Sequence, residues 1–334
     1  MYKILFLKNE RNDATDYYVR LIKKSLENHD KEVLVVENLN DIKKDDKVLT
    51  ISVKAFFYTW LRNPKQFIIH WFQGVTPEEA FLIFNNKFQK KLRWVYLSFF
   101  EWFVLKFSKV NFFVSKAMLD HYRGKYNYNK FNYILMPCYN QKINNDAFVF
   151  EKYKEPTFVY AGSLSDWQCI SETLDVFNEV QKEIPNSKMY LYTAEREKAV
   201  ELIAQKSIEN ITVDYVPYDL LNERLKNIKY GFLLRNDILV NRVATPTKMN
   251  GYLANGVIPI YSDFIEDFKI NLNSDYMISS DGHGDLPKLI VNFEKEVVCV
   301  DEIKKQYNCI FENYYSDEKY LKEISLIFAK YNVV

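Results

Sequence analysis

A polar run between two apolar stretches contains the groups best suited to binding an anion. In Thr245-Pro246-Thr247-Lys248, Thr245 suits the N-cap of a helix and Pro246 its first position. Thr247 and Lys248 then lie in the first turn, where free backbone N–H groups and the positive dipole end meet a hydroxyl and an ammonium group. This combination is typical of a phosphate site. The alternative is a capped core helix with a solvated lysine.

Apolar, β-branched segments alternate with segments of helical periodicity on both sides of this run. The alternation predicts an α/β protein with parallel sheets covered by helices. A polar, asparagine-rich stretch at 138–156 interrupts it and is predicted to link two domains. The expected fold class is α/β, with two Rossmann-like domains at 1–145 and 156–311 facing across a cleft. Pro77 is expected to open one long helical region, 78–109, and Val-Val-Cys-Val (297–300) to form the last strand.

The composition, 48% hydrophobic and 27% charged, is that of a globular protein, and 334 residues suit two domains. No secretory signal is visible, and no apolar run reaches the roughly 18 residues of a membrane-spanning helix, so we expect a cytoplasmic protein. Lys and Arg exceed Asp and Glu in residues 1–150, and the reverse holds for 151–334. The first half is therefore expected to meet an anionic partner.

The sequence gives no sign of a metal or of another cofactor. Its cysteines are far apart and show no C-x-x-C spacing: Cys138, Cys169, Cys299 and Cys309. A D-x-D motif, a G-x-G-x-x-G fingerprint and a Walker loop are all absent. We therefore expect no metal site and no cofactor.

Two longer motifs add to the pattern. They are YAGSLSDWQ (160–168), at the start of the second domain, and P-T-K-x-x-x-Y-L-A-x-G-x-x-P-I (246–260). Together with the two Rossmann-like domains, they resemble GT-B glycosyltransferases, most closely the family 4-like bacterial enzymes of surface polysaccharide biosynthesis. The resemblance implies transfer of a sugar from a nucleotide diphosphate sugar, held by the second domain, to an acceptor held by the first. It also implies that a C-terminal helix within 312–334 packs back on the first domain.

The resemblance places the donor diphosphate at four residues of these motifs: Lys248, Thr247, Ser163 and Leu164. Arg235 follows a predicted strand and is expected to add a bidentate phosphate contact, unless it pairs with Asp237. Because no D-x-D is present, the helix dipole, Lys248 and Arg235 would stabilise the leaving diphosphate without a metal.

The resemblance is weaker for the nucleoside. The turn that contains Val216 and Tyr218 is where family members hold the base, although an ordinary half-buried tyrosine is equally consistent with Tyr218. Relatives usually carry a ribose-binding Glu three residues after the motif lysine, and here that residue is Gly251. Asn250 or Asp237 is expected to substitute for it.

The segment HWFQGVTPEE (70–79) ends a predicted central strand of the first domain. We expect His70, Gln73 and Gly74 to meet the acceptor. An inverting reaction would need a general base here, and Glu78 or Glu79 is the candidate, whereas the sequence leaves open whether the reaction is retaining or inverting. The alternatives are a structural histidine and a helix start enriched in Glu because of the dipole.

Residues 81–130 combine ten basic side chains with many aromatic ones. This combination suits a helix that rests on an anionic membrane surface. Nucleic acid also attracts basic patches, but no motif that reads it is present, so we do not expect it as a partner. The third interpretation is a core helix with a solvated basic edge.

The sequence is therefore interpreted as a metal-independent glycosyltransferase of cell-surface polysaccharide synthesis, acting at the inner face of the cell membrane. Its partners would be a nucleotide sugar donor and a glycan or lipid-linked acceptor. Two alternatives remain: a non-catalytic glycosyltransferase-like binding subunit, and a nucleotide-sugar 2-epimerase on the same fold.

Overall fold

The computed structural model describes residues 1–7, 10, 13–28, 32–83 and 86–333. Residues 84 and 85 of the predicted basic segment, and residue 334 of the predicted last helix, lie outside this part. The chain forms two compact units. The first consists of Met1–Asn140, Arg242–Thr245 and Ser316–Val334, and the second of Gln141–Asn241 and Pro246–Tyr315. Most of the polar stretch 138–156 thus folds with the second unit, in two short 3-10 turns (Asn145–Ala147 and Phe150–Tyr153).

The described part of the first unit contains a six-stranded parallel sheet in the order β2-β1-β3-β4-β5-β6. Its strands are β1 (Tyr2–Leu5), β2 (Val33–Val36), β3 (Lys47–Thr50), β4 (Phe67–Phe72), β5 (Val110–Phe113) and β6 (Tyr133–Leu135). The inner strand β1 is buried along its length, whereas Leu34 and Val35 on the edge strand β2 are exposed. The strand order reverses between β1 and β3. Ligands of open α/β sheets bind at the carboxyl ends of strands at such a switch point.

The helices of the first unit are α1 (Asp13–Glu27), α2 (Val53–Arg62), α3 (Thr76–Ile83), α4 (Lys87–Phe107), α5 (Lys116–Tyr126) and α14 (Asp317–Lys330). The expected single helix over 78–109 is two helices, because Asn86 caps a new helix by accepting hydrogen bonds from Phe88 N and Gln89 N. The C-terminal helix α14 packs against α1. There Tyr17 Oη donates to Asp317 Oδ1 at 2.9 Å.

The described part of the second unit contains another six-stranded parallel sheet, in the order β12-β11-β10-β7-β8-β9. Its strands are β7 (Thr157–Ala161), β8 (Lys188–Tyr192), β9 (Ile211–Asp214), β10 (Tyr230–Leu233), β11 (Ile258–Ser262) and β12 (Ile278–Ser280). Apolar side chains of neighbouring strands stack across the sheet, as Phe158 does on Tyr230 with ring centroids 4.8 Å apart. The order is that of a Rossmann fold, and it reverses between β7 and β10.

The helices between and after these strands are α6 (Ile170–Glu183), α7 (Arg196–Lys206), α8 (Tyr218–Leu225), α9 (Leu239–Arg242, whose last residue counts with the first unit), α10 (Thr247–Ala254), α11 (Glu266–Asn271), α12 (Leu286–Glu294) and α13 (Val300–Asn313). The strand predicted at 297–300 is wrong. Val300 begins α13, Val297 is 87% exposed, and none of the described strands pairs with this run.

Candidate functional site

Two strands of the second sheet, β7 and β10, end side by side at the switch point. Strand β7 ends at Ala161 and leads into Gly162, and β10 ends at Leu233 and leads through Leu234 into Arg235. Since the connections that follow such strands leave on opposite faces of the sheet, their carboxyl ends border a crevice. The loops after β7 and β10 therefore define where this unit is expected to hold a ligand.

Lys248 reaches this crevice from the first turn of α10. Its Nζ lies 4.2 Å from the centroid of the Tyr160 ring and donates a hydrogen bond to Gln168 Oε1 at 2.9 Å. Gly162 has a φ of +148°, which residues with a side chain rarely adopt, and a Cβ there would lie 2.7 Å from Lys248 Nζ. The glycine thus allows the ammonium group to lie against the backbone at the end of β7.

Arg235 is fixed through its backbone and is only 4% exposed. Its N–H donates to Ser262 Oγ at 2.8 Å, and its carbonyl oxygen lies 3.2 Å from His283 Nε2. In the part of the chain that the structure describes, the guanidinium donates to Leu234 O at 2.9 Å and forms no ion pair. The alternative pairing with Asp237 is therefore not observed, and the guanidinium charge has no carboxylate partner among the described residues.

Neither Lys248 nor Arg235 has a carboxylate partner among the described residues. Burial lowers the pKa of the Arg235 guanidinium. Burial, and then the charge of Arg235, lowers the pKa of the Lys248 ammonium group well below its ordinary value. Two like charges in a poorly solvated crevice are unfavourable, and an anion bound between them would remove that cost. The arrangement is therefore a candidate site for a phosphate or diphosphate.

The start of α10 differs from the expected one. The helix begins at Thr247 with Pro246 at the N-cap, so Thr245 is not the capping residue. Thr245 Oγ1 instead accepts a hydrogen bond from Cys138 N at 2.9 Å within the first unit. Because the first N–H groups of a helix have no partner inside it, Thr247 and Lys248 still present N–H groups at the amino end of α10.

The two residues predicted to bind phosphate in the loop after β7 differ in how accessible they are to a ligand. Leu164 is buried, and its N–H donates to Glu195 Oε2 at 2.6 Å, so this amide is already occupied. Ser163 is exposed and its Oγ lies 3.3 Å from Ser165 Oγ. Of the two residues, Ser163 is the better placed to meet a ligand.

The residues predicted to hold the nucleoside lie in three different places. Tyr218 begins α8 and is 39% exposed, beside the partly exposed Val216, so both side chains are accessible and the Tyr218 ring could stack on a base. Asp237 is exposed in the loop after β10. Asn250 is fully buried, and its carboxamide bonds to the backbone of Gln141 in both directions. Asn250 thus positions Gln141 rather than presenting its own side chain.

The first unit has its own cavity, of about 390 Å³, at the carboxyl ends of β3 and β4. It is lined by Glu10, Ile51, Ser52, Val53, Lys54, His70, Phe72, Gln73, Gly74, Thr76, Glu79 and Leu97. All three predicted acceptor residues, and one of the two predicted bases, therefore meet at one cavity beside the switch point of this sheet. A mixed lining of hydroxyl, amide, ammonium and carboxylate groups suits a hydroxyl-rich ligand.

His70 and Glu79 have different electrostatic environments in this cavity. His70 is 1% exposed, with Nδ1 2.8 Å from Thr50 Oγ1, and burial lowers its pKa to about 3. It is therefore a neutral wall residue at physiological pH. Burial, with a smaller contribution from the charge of Glu78, raises the pKa of the Glu79 carboxyl group.

Glu78 belongs to a separate cluster of charged side chains beneath α4. Its Oε1 lies 2.6 Å from Lys125 Nζ and 3.8 Å from His121 Nε2, and it accepts a hydrogen bond from Trp94 Nε1. Lys125 also lies 3.4 Å from Glu101 Oε2. Glu78 is thus engaged in an ion pair and does not line the cavity that Glu79 lines.

Glu101, in the same cluster, gives a pH-dependent prediction. It is fully buried and accepts hydrogen bonds from Tyr122 and Tyr126, yet burial raises its pKa to about 7. Since the folded-state pKa lies above the unfolded value, stability is highest below the unfolded pKa and is lost as pH rises toward 7. Between pH 5 and 8, the free energy of unfolding should fall by up to about 3 kcal/mol more for the wild-type chain than for Glu101→Gln. Urea unfolding of the two proteins at pH 5 and at pH 8 measures this difference. An equal fall in the free energy of unfolding in both proteins would contradict the prediction. The neighbouring charged groups His121, Glu78 and Lys125 are present in both proteins.

Four residues of the second-unit site were not predicted from the sequence to contribute to it. Tyr160 and Gln168 contact Lys248, and Ser262 and His283 hold Arg235, although each lies in a different loop or strand. Tyr160 and Gln168 lie at the two ends of the YAGSLSDWQ motif, and that motif could have indicated them as site residues. For His283, the sequence offers no such motif.

The described residues contain neither a clustered set of metal ligands nor a membrane-spanning helix. No group of three or more His, Cys, Asp or Glu side chains is arranged to hold a metal ion. Within the same residues, none of the helices combines the length and the apolar character needed to cross a membrane.

With two parallel six-stranded Rossmann-like sheets, the chain has the GT-B glycosyltransferase fold, and the predicted α/β class with two Rossmann-like domains is confirmed. Solved structures of similar fold are glycosyltransferases. S. aureus TarM, solved as a variant with fondaparinux, alpha-GlcNAc-glycerol and UDP, matches with a TM-score of 0.64 and 16% identity over 86% of this chain. This chain spans 57% of the TarM chain.

Two other similar structures match over their whole length. WaaG, a glycosyltransferase involved in lipopolysaccharide biosynthesis, gives a TM-score of 0.66 at 10% identity, covering 97% of this chain and 100% of its own. Anabaena Alr3699/HepE, solved with UDP and glucose, gives 0.70 at 8% identity, covering 98% and 99%. No protein-family model and no curated protein matches the sequence. At these identities the likeness establishes the fold.

Proposed function

We propose that this protein is a glycosyltransferase that moves a sugar from a nucleotide diphosphate sugar to a glycan or lipid-linked acceptor in cell-surface polysaccharide synthesis. One observation carries the proposal: Lys248 and Arg235 meet without a counter-charge at the switch point of the second sheet. An open α/β sheet binds its ligand at its switch point, and a bound anion would supply the negative charge that these two side chains lack. The binding of UDP by TarM and HepE, which share the fold, supports the same assignment.

In the proposed reaction, the bond between the sugar and the diphosphate breaks, and negative charge develops on the departing diphosphate. The Lys248 ammonium group, the Arg235 guanidinium and the N–H groups at the start of α10 would stabilise that charge. Three such donors supply what a metal ion supplies elsewhere, so we propose a metal-independent reaction with no cofactor besides the sugar nucleotide. Tyr218 and Val216 would contact the base.

The acceptor is proposed to bind in the cavity of the first unit, with Gln73, Gly74 and His70 in its wall. Glu79 is the preferred general base, because its carboxylate lines this cavity and its pKa is raised. A carboxylate with a raised pKa is a stronger base for an acceptor hydroxyl than an ordinary one. Glu78 is assigned a structural role, because it pairs with Lys125.

An anionic membrane is the proposed surface on which the protein acts, at the inner face of the cell membrane. One face of α4 carries an exposed apolar stripe at helical spacing: Phe88, Leu92, Val95, Phe99 and Trp102. Four basic side chains lie beside its first two turns: Lys87, Lys90, Lys91 and Arg93. The opposite face of α4 is buried and packs into the core of the first unit, so the exposed stripe does not contribute to that core. Apolar side chains flanked by basic ones match the apolar boundary and the anionic headgroups of a membrane.

Replacing the four basic residues with Gln is expected to reduce partitioning onto vesicles containing phosphatidylglycerol at least tenfold, since each basic side chain near such a surface contributes about 1 kcal/mol. Binding to pure phosphatidylcholine vesicles should change little, and Phe88→Ser/Leu92→Ser should weaken binding to both. Vesicle sedimentation measures these effects. If the Ser variant changes the oligomeric state and leaves vesicle binding intact, a second copy of the chain covers the stripe instead.

The proposed function is tested by offering the purified protein a panel of nucleoside diphosphates and their sugar conjugates, with and without a membrane extract as the acceptor source. We expect thermal stabilisation by at least one nucleoside diphosphate, and sugar transfer that persists in EDTA. Nucleotide binding without turnover of any sugar nucleotide would support the binding-subunit alternative. Interconversion of two free sugar nucleotides would support the 2-epimerase.

A further inference from the structure

The second turn of α10 has an unusual feature beside the proposed diphosphate site. Gly251 follows Lys248 by three residues, so both lie on one face of the helix, about 4.5 Å apart along its axis. Gly251 is buried but contributes no side chain to that face. A ligand bound at Lys248 and extending along α10 would therefore pass the space that a side chain at 251 would otherwise fill.

The side chain of Gln141 fills this space. A Cβ on Gly251 would lie 3.5 Å from Gln141 Nε2 and 3.9 Å from Gln141 Oε1, which is ordinary van der Waals contact. A polar carboxamide from the first residue of the second unit thus takes the position left open on the helix.

The carboxamide of Gln141 is held in a defined orientation. Its backbone is held by Asn250, with Gln141 N donating to Asn250 Oδ1 at 2.9 Å and Asn250 Nδ2 donating to Gln141 O at 3.2 Å. Its Oε1 accepts a hydrogen bond from Asn255 Nδ2 at 3.1 Å. Because Oε1 is engaged, Nε2 is the free end, and it has no acceptor among the residues that the structure describes. Gln141 is only half-buried, so a ligand can reach it.

We propose that Gln141 Nε2 donates a hydrogen bond to a ribose hydroxyl of the nucleotide whose diphosphate lies at Lys248 and Arg235. This inference rests on the proposed function and adds a residue that determines specificity for the ribonucleotide. Ribose is the unit directly attached to the diphosphate, and its vicinal hydroxyls are acceptors for an amide N–H. The distance of one helical turn between Lys248 and Gly251 matches that attachment.

A carboxamide also suits the charge of this site. A carboxylate next to Gly251 would place a negative charge one turn from the group that binds the diphosphate and would repel it. Gln141 offers a hydrogen bond to the ribose without that charge, so the positive potential of Lys248 and Arg235 remains available to the phosphates.

The test compares the affinities of UDP and of its 2′-deoxy and 3′-deoxy forms by calorimetry, in wild type, Gln141→Ala, Gln141→Glu and Lys248→Ala. The wild-type protein should bind UDP about fivefold more tightly than at least one deoxy form, or about 1 kcal/mol. Gln141→Ala should remove that preference by weakening UDP alone, with an unchanged melting temperature. Gln141→Glu should keep the preference, because a carboxylate accepts from the same hydroxyls, while weakening all three ligands.

Three outcomes would overturn the inference. Equal wild-type affinity for all three ligands would do so, and so would a Gln141→Ala variant that loses affinity equally for UDP and for both deoxy forms, which indicates a structural role. If UDP binds in a Lys248-dependent manner while either of these holds, the proposed function stands and only the role of Gln141 is lost. If neither UDP nor any other nucleoside diphosphate of the panel binds to the wild type, both are wrong.

Discussion

Replacing Lys248 with Ala is expected to weaken binding of a nucleoside diphosphate at least tenfold, a loss of about 1.4 kcal/mol. The ammonium group lies at the end of β7, in a crevice shared with Arg235 and without a carboxylate partner. A bound diphosphate would provide its counter-charge, so the contact is made in the complex and is missing in the free protein. Titration calorimetry with UDP, at fixed ionic strength, measures the loss.

Lys182→Ala provides the matched control for this experiment. It removes the same charge from the second unit, but Lys182 lies in the last turn of α6 and pairs with Glu179 on the surface. We expect its effect on affinity to stay within twofold. Equal losses in the two variants would reduce the role of Lys248 to a general electrostatic one, and an unchanged affinity in Lys248→Ala would overturn the diphosphate site.

Replacing Glu79 with Gln is expected to lower the rate of sugar transfer by about a hundredfold or more, the range typical of a lost general base. The affinity for the nucleoside diphosphate should not change, because Glu79 lines the cavity of the first unit and the donor site lies in the second. Steady-state kinetics, with the sugar nucleotide that the wild type uses, separates kcat from KM.

Glu78→Gln distinguishes the base from its neighbour in sequence. This variant breaks the ion pair with Lys125, so it should lower the melting temperature while it retains most of the transfer rate. A larger loss of rate in Glu78→Gln than in Glu79→Gln would exchange the two assignments.

The pH profile of kcat adds an independent measurement for Glu79. A general base must be deprotonated, and burial raises the pKa of this carboxyl group above its ordinary value. The rate should therefore fall as pH falls through an apparent pKa higher than that of a solvated glutamate, and stay level above it. In Glu79→Gln the residual rate should lack this acidic limb.

Local patterns in the sequence were sufficient to place residues whose position depends on one segment. Thr247 and Lys248 begin α10 as the run of polar and apolar residues indicated, and Arg235 follows β10. The alternation of strands and helices was sufficient for the Rossmann-like sheets, because the spacing of apolar residues sets which face of each element is buried. The local pattern did not predict the role of Thr245 correctly. Its hydroxyl group accepts a hydrogen bond from the backbone of Cys138, a residue far away in the sequence, and does not cap α10.

Two further differences have the same origin. The apolar run at 297–300 satisfies the local preference for a strand, but none of the strands that the structure describes pairs with it, and Val300 begins a helix. Glu78 and Glu79 are adjacent and chemically identical, yet successive side chains of a helix point in different directions. One therefore meets Lys125 and the other meets the cavity.

By itself the sequence determined the class of fold and the start of a helix at Thr247 and Lys248, since both follow from periodicity and from residues within one turn of each other. Only the tertiary structure decided which charges remain uncompensated, which glutamate faces a cavity and which side chain fills the space at Gly251. These properties depend on distances between segments that are remote along the chain, such as Gln141 and Gly251 or Tyr160 and Lys248. Strand order and helix packing set those distances, and a linear pattern does not specify them.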